Sequence, residues 1–250
     1  MGSDQLIKEF YNKDGYIVLR SFFNDDEVKS LKEMTSGFID EVATKLSGRD
    51  INWIDGVVNS IHCVHKFPDS ALYKRFVLSK KISQMAEFLL DDEPEIRASE
   101  LFLKPAGVGL RSPMHQDDYY WCVTGHNALT FWIAIDPAGY GNGGIKYIPG
   151  SQKLGLLEHI DSHAPGSSQT VADQELLEQA RYECPEILPG DVLVHHALTI
   201  HGSDANRGTY SRKGLTVQIK GRNSNYDLER KRHYEYRLQE QLSQRSRSSK

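Results

Sequence analysis

The motif His-x-acid, in which a histidine precedes Asp or Glu by two residues, occurs three times in this sequence. The three copies are His115–Asp117, His159–Asp161 and His233–Glu235. Imidazole and carboxylate groups together can form iron and zinc sites, and this spacing could bring both to one ion. With ten histidines and 34 acidic residues in 250, roughly one or two copies are expected by chance. The motif is therefore informative only where its local structure can bring both side chains together.

The copy at His115–Asp117 has the most favourable context. It lies in a predicted strand, where residues two apart point to the same face, so both side chains could reach one metal. The copy at His233–Glu235 lies in a charged helical segment, where this spacing points the side chains to different faces. The copy at His159–Asp161 is predicted to lie in a loop.

A third ligand is expected from His201, which ends the apolar stretch that begins at Asp191. The long separation between Asp117 and His201 leaves room for several strands around the site. Two histidines and one carboxylate form the facial arrangement of non-haem Fe(II) oxygenases, with positions left open for a chelating co-substrate and O₂. Zinc hydrolases use similar ligands, so these residues alone leave the metal open.

Arg212 follows His201 across a turn-rich connection and begins a strand of alternating character. Arg212, Gly214, Thr216 and Gln218 are predicted on one face of that strand, and Lys213, Leu215, Val217 and Ile219 on the other. A buried guanidinium in a metal cavity needs an anion, and its planar fork fits a carboxylate. Beside an iron site this favours a 2-oxo acid, chelated to the metal at one end and anchored by Arg212 at the other.

The elements that must position these residues are predominantly strands. Helices are predicted for residues 3–13, 28–46 and 71–90, around one strand at residues 15–19, and acceptors at 24–27 begin the second helix. Short apolar runs separated by Gly and Pro then predict strands at 100–104, 128–136, 144–149, 186–188, 191–200 and 213–220. The segment 156–183 is predicted to be an insertion with one helix. The pattern is typical of an antiparallel sandwich or barrel.

The predicted organisation is one domain over residues 1–225, with a helical part (1–95) and a β core (96–225). Residues 226–250 form a charged tail, predicted to be helical or disordered and interpreted as a solvated end. The charge balance is −4, from 30 basic and 34 acidic residues, which argues against binding to nucleic acid or membranes by bulk charge. The sequence has no long apolar run and no secretory signal, and its three cysteines are far apart. We therefore expect a cytoplasmic protein.

Between residues 97 and 220 the sequence resembles the phytanoyl-CoA dioxygenase family of Fe(II)/2-oxoglutarate-dependent oxygenases. The matching motifs, in order, are Leu103-Lys-Pro, His115-Gln-Asp, Leu129-Thr-Phe-Trp-Ile-Ala, Gly143-Gly with Tyr147-Ile-Pro-Gly-Ser, Pro189-Gly-Asp-Val, His201-Gly-Ser with Asn206, and Arg212. The segment from Phe10 to Leu19 is also similar to the family's opening helix and strand. The chain departs from the family at Gln152, where a histidine is frequent.

The resemblance implies a mainly β fold with flanking helices, the double-stranded β-helix or cupin-like jelly roll. It implies that His115, Asp117 and His201 bind Fe(II) and that Arg212 pairs with the distal carboxylate of 2-oxoglutarate. Four further positions are implied near the co-substrate: Ser203, Thr130, Trp132 and Gln116. An acid at position 117, where the halogenating branch has Gly or Ala, favours hydroxylation or a related oxidation.

Four residues are candidates for substrate contact: Tyr119, Trp121, His62 and Lys66. If the strand continues beyond Asp117, Tyr119 and Trp121 share the face of the metal ligands. Their rings could then hold an ammonium group by cation–π attraction, although ordinary aromatic packing gives the same pattern. His62 and Lys66 could meet a phosphonate or carboxylate, a hypothesis that rests on charge alone.

The sequence thus predicts a dioxygenase that uses Fe(II), 2-oxoglutarate and O₂ to hydroxylate a C–H bond and releases succinate and CO₂. The expected substrate is a small polar molecule: an amine, amino acid, phosphonate or natural-product intermediate. Three alternatives stay open: a non-catalytic cupin-like metal-binding or sensor protein, a hydroxylase of a macromolecule, and a zinc hydrolase. No nucleic-acid or membrane partner is predicted, and the oligomeric state is left open.

Overall fold

The computed structural model describes residues 3–162 and 169–248 of the chain. The described part contains six α-helices: α1 (Ser3–Asp14), α2 (Asp25–Val42), α3 (Lys80–Leu90), α4 (Asp117–Trp121), α5 (Gln174–Gln179) and α6 (Leu228–Ser248). It contains twelve strands: β1 (Tyr16–Leu19), β2 (Ile51–Ile54), β3 (Val57–Ile61), β4 (Pro94–Phe102), β5 (Ser112–His115), β6 (Ala128–Ala134), β7 (Ile145–Tyr147), β8 (His159–Asp161), β9 (Gln169–Val171), β10 (Val192–His196), β11 (His201–Ser203) and β12 (Gly214–Gly221).

The strands form two principal antiparallel sheets, as predicted. The large sheet has seven strands in the order β1-β10-β6-β12-β4-β3-β2, and the small sheet has the order β5-β11-β7. A separate pair joins β8 to β9. From β1 to β4 in the large sheet, and throughout the small sheet, neighbouring strands are distant in sequence, which is the connectivity of a jelly roll. Both sheets contribute residues to one internal cavity.

The predicted alternation along β12 is confirmed. Leu215, Val217 and Ile219 are fully buried in the main apolar core, where they pack with residues of α2 and α3. Thr216 and Gln218 face the opposite way and line the cavity. Burying an aliphatic side chain stabilises the fold by about 1.5–3 kcal/mol. One face of β12 therefore contributes to stability while the other is free to carry chemistry.

The start of α2 follows the predicted acceptor-rich segment. The side chain of Asn24 accepts from the backbone N–H of Glu27, and the Glu27 carboxylate accepts from the N–H of Asn24. This reciprocal capping box satisfies two N–H groups that the first turn leaves unpaired. The face of α2 that carries Leu31, Phe38 and Val42 is buried in the main apolar core.

The prediction of a single strand in the N-terminal part is wrong, because this part contains three. β2 and β3 form a hairpin through Asp55-Gly56, whose φ angles of 48° and 77° are both left-handed. A two-residue Asp-Gly loop with this backbone is the preferred connection of a tight hairpin. The N-terminal part thus adds strands to both edges of the large sheet, β1 at one and β3-β2 at the other.

Four other predicted elements differ in the structure. The strand predicted at 191–200 ends at His196, and the next strand, β11, begins only at His201. The helix predicted over 71–90 is interrupted, with a π-helical turn at Tyr73–Val77 before α3 begins. The strand predicted at 186–188 is a single bridge between Ala138 and Ile187. The insertion at 156–183 contains α5 but also β8 and β9, so the His159–Asp161 motif lies in a strand and not in a loop.

The C-terminal tail is helical, one of the two predicted alternatives, and most of its described residues are exposed, but one side of the helix packs against the protein and is not solvated. The tail forms α6, and Arg230 of this helix donates to both the backbone carbonyl and the carboxylate of Asp118 in α4. The rings of Tyr234 and Tyr120 are 5.6 Å apart, in an edge-to-face arrangement. Residues 249 and 250 lie outside the described part of the chain. None of the described helices combines the length and the apolar character needed to cross a membrane.

Candidate active site

The two histidines of the predicted metal site lie opposite each other on neighbouring strands. His115 is the last residue of β5 and His201 is the first residue of β11, and they are register partners. Both side chains are buried, and their ring centroids are 4.4 Å apart. Antiparallel pairing therefore brings together two residues that are far apart in sequence.

The prediction that Asp117 lies on the same strand as His115 is wrong. β5 ends at His115, Gln116 is extended with φ −113° and ψ 130°, and Asp117 is the first residue of α4. A single extended residue keeps the alternation of a strand, so Asp117 still points to the side of His115. Its Oδ1 atom lies 3.7 Å from Nε2 of His115 and 3.8 Å from Nε2 of His201.

Hydrogen bonds fix the orientation of both imidazoles. Nδ1 of His115 lies 2.7 Å from the carbonyl oxygen of Pro113, and Nδ1 of His201 lies 2.9 Å from that of Thr199. Because a carbonyl oxygen only accepts, each Nδ1 carries the proton and each Nε2 presents a lone pair toward Asp117. This is the tautomer in which histidine binds a metal through Nε2.

The second carboxylate oxygen of Asp117 is held by two donors. The hydroxyl of Thr130 donates to Oδ2 at 2.7 Å, and Nε2 of His195 lies 3.2 Å from the same atom. The hydroxyl of Tyr147 is 3.0 Å from Nδ1 of His195. Since a carboxylate only accepts, Tyr147 donates to His195 and His195 donates to Asp117. Oδ1 is thereby directed at the two Nε2 atoms.

The protonation states in this cluster suit metal binding. Burial raises the pKa of Asp117, but the imidazoles of His201, His115 and His195 outweigh it and hold that pKa well below its usual value. Burial, followed by the neighbouring histidines, holds the pKa of His201 well below its usual value. Two imidazole nitrogens and one carboxylate oxygen, all within 4.8 Å of one another, fit one face of a divalent transition metal.

Arg212 lies in a second cluster, at the end of the cavity where β12 begins. It is 2% exposed, and its Nε and Nη2 atoms both donate to the carbonyl oxygen of Gly143, at 2.9 Å for Nε. Its guanidinium carbon lies 5.0 Å from the ring centroid of Trp132. Burial lowers the pKa of Arg212 to about 10, so it remains protonated at neutral pH. Within the described part of the chain, no carboxylate pairs with this buried cation.

Lys104 lies in the same cluster. Its Nζ donates to Oγ of Ser203 at 2.6 Å and to the carbonyl oxygen of Asp204. Burial, followed by the charge of Arg212, lowers the pKa of Lys104 to about 6. The two side chains therefore form a buried basic pair with hydrogen-bond capacity for an oxyanion.

The two clusters share one cavity of about 300 Å³. Away from Arg212 its wall is formed by polar and aromatic side chains, chiefly His62, Arg97, Glu100, Tyr120, Trp121 and Tyr234. A cavity of this size with few convergent polar groups is typical of a small-molecule site. His62 and Trp121, both predicted as substrate contacts, lie on this wall.

Three predicted site residues do not line the cavity. Tyr119 stacks on His159 with ring centroids 4.1 Å apart, because α4 is a helix and points it away. Lys66 pairs with Asp50 at 2.7 Å on the outside of the protein. The amide of Gln116 bonds the backbone of residues 155, 157 and 198, so it holds the segment that carries Asp117.

Sequence reasoning missed four residues of the site: Lys104, His195, Arg97 and Tyr120. Lys104 lies in the Leu103-Lys-Pro motif, which was a usable signal. His195 lies in a strand next to His196, so alternation alone indicated that one of the two faces the cavity. Arg97 and Tyr120 lie at an irregular strand position and in a short helix, where alternation gives no guide.

The comparisons with known proteins agree with this geometry. A family model described as phytanoyl-CoA dioxygenase matches residues 11–214. A phytanoyl-CoA dioxygenase of Arabidopsis thaliana is 26% identical over 254 residues, covering 86% of this chain and 87% of the relative. An ectoine dioxygenase of Stutzerimonas stutzeri is 25% identical, covering 83% of this chain and 73% of the relative.

Among solved structures, EctD from S. alaskensis with 2-oxoglutarate and 5-hydroxyectoine is similar with a TM-score of 0.72. It is 25% identical, and the match covers 88% of this chain and 76% of that one. The same protein with bound Fe matches with a TM-score of 0.72.

Proposed function

The chain belongs to the phytanoyl-CoA dioxygenase family, and from this premise we propose that it hydroxylates a C–H bond of a small polar molecule. It is an Fe(II)/2-oxoglutarate-dependent dioxygenase. The reaction consumes 2-oxoglutarate and O₂ and releases succinate and CO₂. The observation that carries the proposal is the cluster of His115, Asp117 and His201, whose inward-facing ligand atoms share a cavity with the buried cation Arg212.

His115, Asp117 and His201 would hold the iron. Their fit rests on the donor set, because each Nδ1 is committed to a backbone carbonyl and each Nε2 is free for a metal. Thr130 and His195 would orient the carboxylate by holding its second oxygen. When bound, Fe(II) together with 2-oxoglutarate supplies the oxidising power for the reaction with O₂. The protein's own residues bind, orient and exclude water.

Arg212 would anchor the distal carboxylate of 2-oxoglutarate. A buried guanidinium without a carboxylate partner is costly unless an anion enters, and its planar fork matches a carboxylate. Ser203 and Lys104 lie beside it and offer further hydrogen bonds. Trp132 supports the guanidinium from one side. We assign Gln116 the task of holding the backbone next to Asp117.

The substrate class rests on the cavity and on the relatives. Relatives of this chain include an ectoine dioxygenase, a probable alpha-ketoglutarate-dependent hypophosphite dioxygenase and an L-proline trans-4-hydroxylase, all named for small polar molecules. A cavity of about 300 Å³ suits a molecule of this kind. The proposed catalytic domain is residues 1–225, with α6 covering one side of the site.

The experiment that tests this function is an anaerobic titration. Fe(II) and then 2-oxoglutarate are added to the metal-free protein, and the visible charge-transfer band of a metal-chelated 2-oxo acid is recorded. We expect the band with the wild-type protein, its loss in His201→Ala, and a much higher 2-oxoglutarate requirement in Arg212→Ala. His196→Ala, which changes the neighbour of His195 that does not line the cavity, is the matched control and should keep the band.

Two results separate the outcomes. If iron binds but 2-oxoglutarate produces no band, the oxygenase function is contradicted and a non-catalytic metal-binding protein is favoured. If the band forms in His201→Ala as in wild type, the function stands but the ligand assignment is wrong.

A further inference from the structure

Arg97 lies on a β-bulge that turns it into the cavity. In the pairing of β4 with β12, Ala98 is opposite Gln218 and Ile96 is opposite Ile219, so Arg97 is an extra residue without a register partner. Strict alternation would point Arg97 to the core side, together with Ser99 and Leu101. A bulge lets two successive side chains share a face, and bulges occur next to active sites for this reason.

The guanidinium of Arg97 is only partly satisfied in this position. One Nη atom donates to Oε1 of Gln218 at 2.5 Å, and the guanidinium carbon lies 4.9 Å from the ring centroid of Trp121. Its Nε is buried and has no acceptor among the described residues. Nor does any carboxylate in the described part of the chain form an ion pair with it. A buried guanidinium with an unsatisfied donor and no ion pair destabilises the protein unless an anion binds to it.

The nearest carboxylate on the same strand already has a partner. Glu100 lies 3.3 Å from Nδ1 of His62. Nε2 of that histidine is 2.8 Å from Oγ of Ser60 and 3.0 Å from the amide of Asn52. Glu100 is therefore held in a polar network of its own. Among the described residues, Arg97 thus has no carboxylate within ion-pair distance, and Glu100, Asp117 and Asp118 act on it only from farther away.

Arg97 and Arg212 start from positions near opposite ends of the strand β12, which forms one side of the cavity. Arg97 is the neighbour of Ala98, which pairs with Gln218 of β12. Gln218 lies six residues after Arg212 along the chain. At about 3.3 Å per residue, the two backbone positions are roughly 20 Å apart. The side chains span part of that separation, but the two guanidinium groups are held by different partners: Gly143 and Trp132 for Arg212, and Gln218 and Trp121 for Arg97. The cavity thus has two cationic ends.

The distance from Arg97 to the metal cluster is shorter. Gln218 is opposite Thr130 on β6, and Thr130 donates to Asp117. Two strand spacings of about 4.8 Å place the Arg97 strand roughly 10 Å from Thr130. A group bound by Arg97 would therefore lie only a few bonds from a carbon presented to the metal.

We propose that Arg97 binds an oxyanion of the substrate, so that this enzyme oxidises a small acid at a carbon a few bonds from its acidic group. The oxyanion is a carboxylate or a phosphonate, since both match the guanidinium fork. One face of Trp121 is covered by Arg97, so a cation of the protein itself occupies that face in place of a substrate ammonium group. This inference rests on the proposed function.

The test compares acids with their neutral analogues. The iron and 2-oxoglutarate complex is prepared anaerobically at saturating 2-oxoglutarate, and perturbation of its visible band is titrated with butanoate, hexanoate, propylphosphonate, butanamide and hexanamide. We expect at least one acid to bind and its amide to bind far more weakly. Arg97→Gln should weaken that acid about ten-fold or more, as loss of a charged hydrogen bond does. The relative order of butanoate and propylphosphonate, which carry the same propyl chain, distinguishes the two oxyanions.

Three controls make the result decisive. Arg181→Gln removes an arginine whose side chain is 89% exposed and does not line the cavity, and it should change the affinity for the acid by less than about three-fold, since exposed charges are screened. Arg97→Lys should recover part of the affinity lost in Arg97→Gln. The 2-oxoglutarate band itself should be unchanged in Arg97→Gln, which shows that the variant is folded.

The inference and the proposed function fail in different ways. If the wild-type band forms but no acid perturbs it at ~10 mM, or amides bind as well as acids, the inference is overturned and the function stands. Equal acid affinity in Arg97→Gln and wild type has the same meaning. If no band forms in wild-type protein with iron bound, the function itself fails.

Discussion

After the three metal ligands, His195 is the residue whose role follows most directly from its hydrogen bonds in the site. It donates to Asp117 Oδ2 and accepts from Tyr147, and it is 1% exposed. Partners of this kind hold a ligand in the orientation that the metal requires, and their loss typically weakens metal binding 10–100-fold. We therefore expect His195→Ala to weaken Fe(II) binding by about that factor.

Competition with a chelator under anaerobic conditions measures this effect directly. His195→Gln, whose amide can still donate to Asp117, should recover part of the affinity. His196→Ala should bind iron as wild type does. Equal iron affinity in His195→Ala and His196→Ala would show that Asp117 is oriented without this hydrogen bond.

Lys104 predicts a pH dependence of 2-oxoglutarate binding. Burial and then Arg212 lower its pKa to about 6, while Asp204 and Cys184 act to raise it and Lys146 to lower it. An entering carboxylate favours the protonated amine, so the pKa rises when the anion binds. Above about pH 6, binding therefore takes up a proton, and the affinity should fall by up to about ten-fold per pH unit.

Titrations of the 2-oxoglutarate band between about pH 6 and pH 8 test this sign. Lys104→Met should bind 2-oxoglutarate more weakly and lose the slope, because no proton is then taken up. A flat profile in wild type, or the same slope in Lys104→Met, would mean that the proton is not taken up at Lys104.

At the scale of elements, α6 is part of the wall of the site and not an appendage. Arg230 donates to the buried carboxylate of Asp118 at 3.1 Å and to its carbonyl at 2.8 Å, next to the start of α4. Asp118 keeps its bonds to the N–H of Val123 and to Nδ1 of His126, but its carboxylate and carbonyl both lose the guanidinium donor. We expect Arg230→Ala to reduce the free energy of unfolding by about 1–3 kcal/mol.

The control for this prediction lies two residues further along the same helix. Arg232 is exposed and donates only to the Leu228 carbonyl of its own helix, so Arg232→Ala should change the free energy of unfolding by less than about 0.5 kcal/mol. Denaturant unfolding of both variants measures the difference. Equal values would mean that α6 does not stabilise α4.

The elements that the sequence predicts well are those with a strong repeating pattern. The alternation of β12 separates cavity residues from core residues, and the structure agrees at each position from Leu215 to Ile219. The acceptors before α2 likewise mark its start. In both cases the information is local, because neighbouring residues alone decide the period or the cap.

The features that the sequence analysis missed depend on contacts between distant segments or on breaks in a pattern. The hairpin at Asp55-Gly56 is an exception, since its turn signal is local and could have been used. Asp117 begins a helix because the chain turns there. The predicted strand was therefore wrong, but its spacing still placed the Asp117 side chain correctly, on the same side as His115. The bulge at Arg97 changes the alternation by one residue, so a strict period of two puts that side chain on the wrong face. The packing of α6 depends on Asp118, more than a hundred positions earlier.

At the scale of the whole molecule, both sheets of the jelly roll contribute residues to the site. The small sheet supplies His115 and His201, and the large sheet supplies Thr130 and His195, which hold Asp117. Helices α2 and α3 cover the outer face of the large sheet. Binding a ligand at the junction of the sheets therefore links both layers, and ligand affinity should appear as stability of the whole domain.

This linkage predicts that Tm rises in two steps, first with Fe(II) and then with 2-oxoglutarate. A ligand at 100 times its Kd stabilises the folded state by about 2.7 kcal/mol, and for a chain of this size that raises Tm by roughly 5–10 °C. Under anaerobic conditions we expect Fe(II) to give one such increase and 2-oxoglutarate to add a second only when iron is present. Arg212→Ala should keep the increase from iron and lose most of the second, because the carboxylate anchor is removed. Equal stabilisation by 2-oxoglutarate with and without iron would mean that the basic pair alone holds it, independently of the metal cluster.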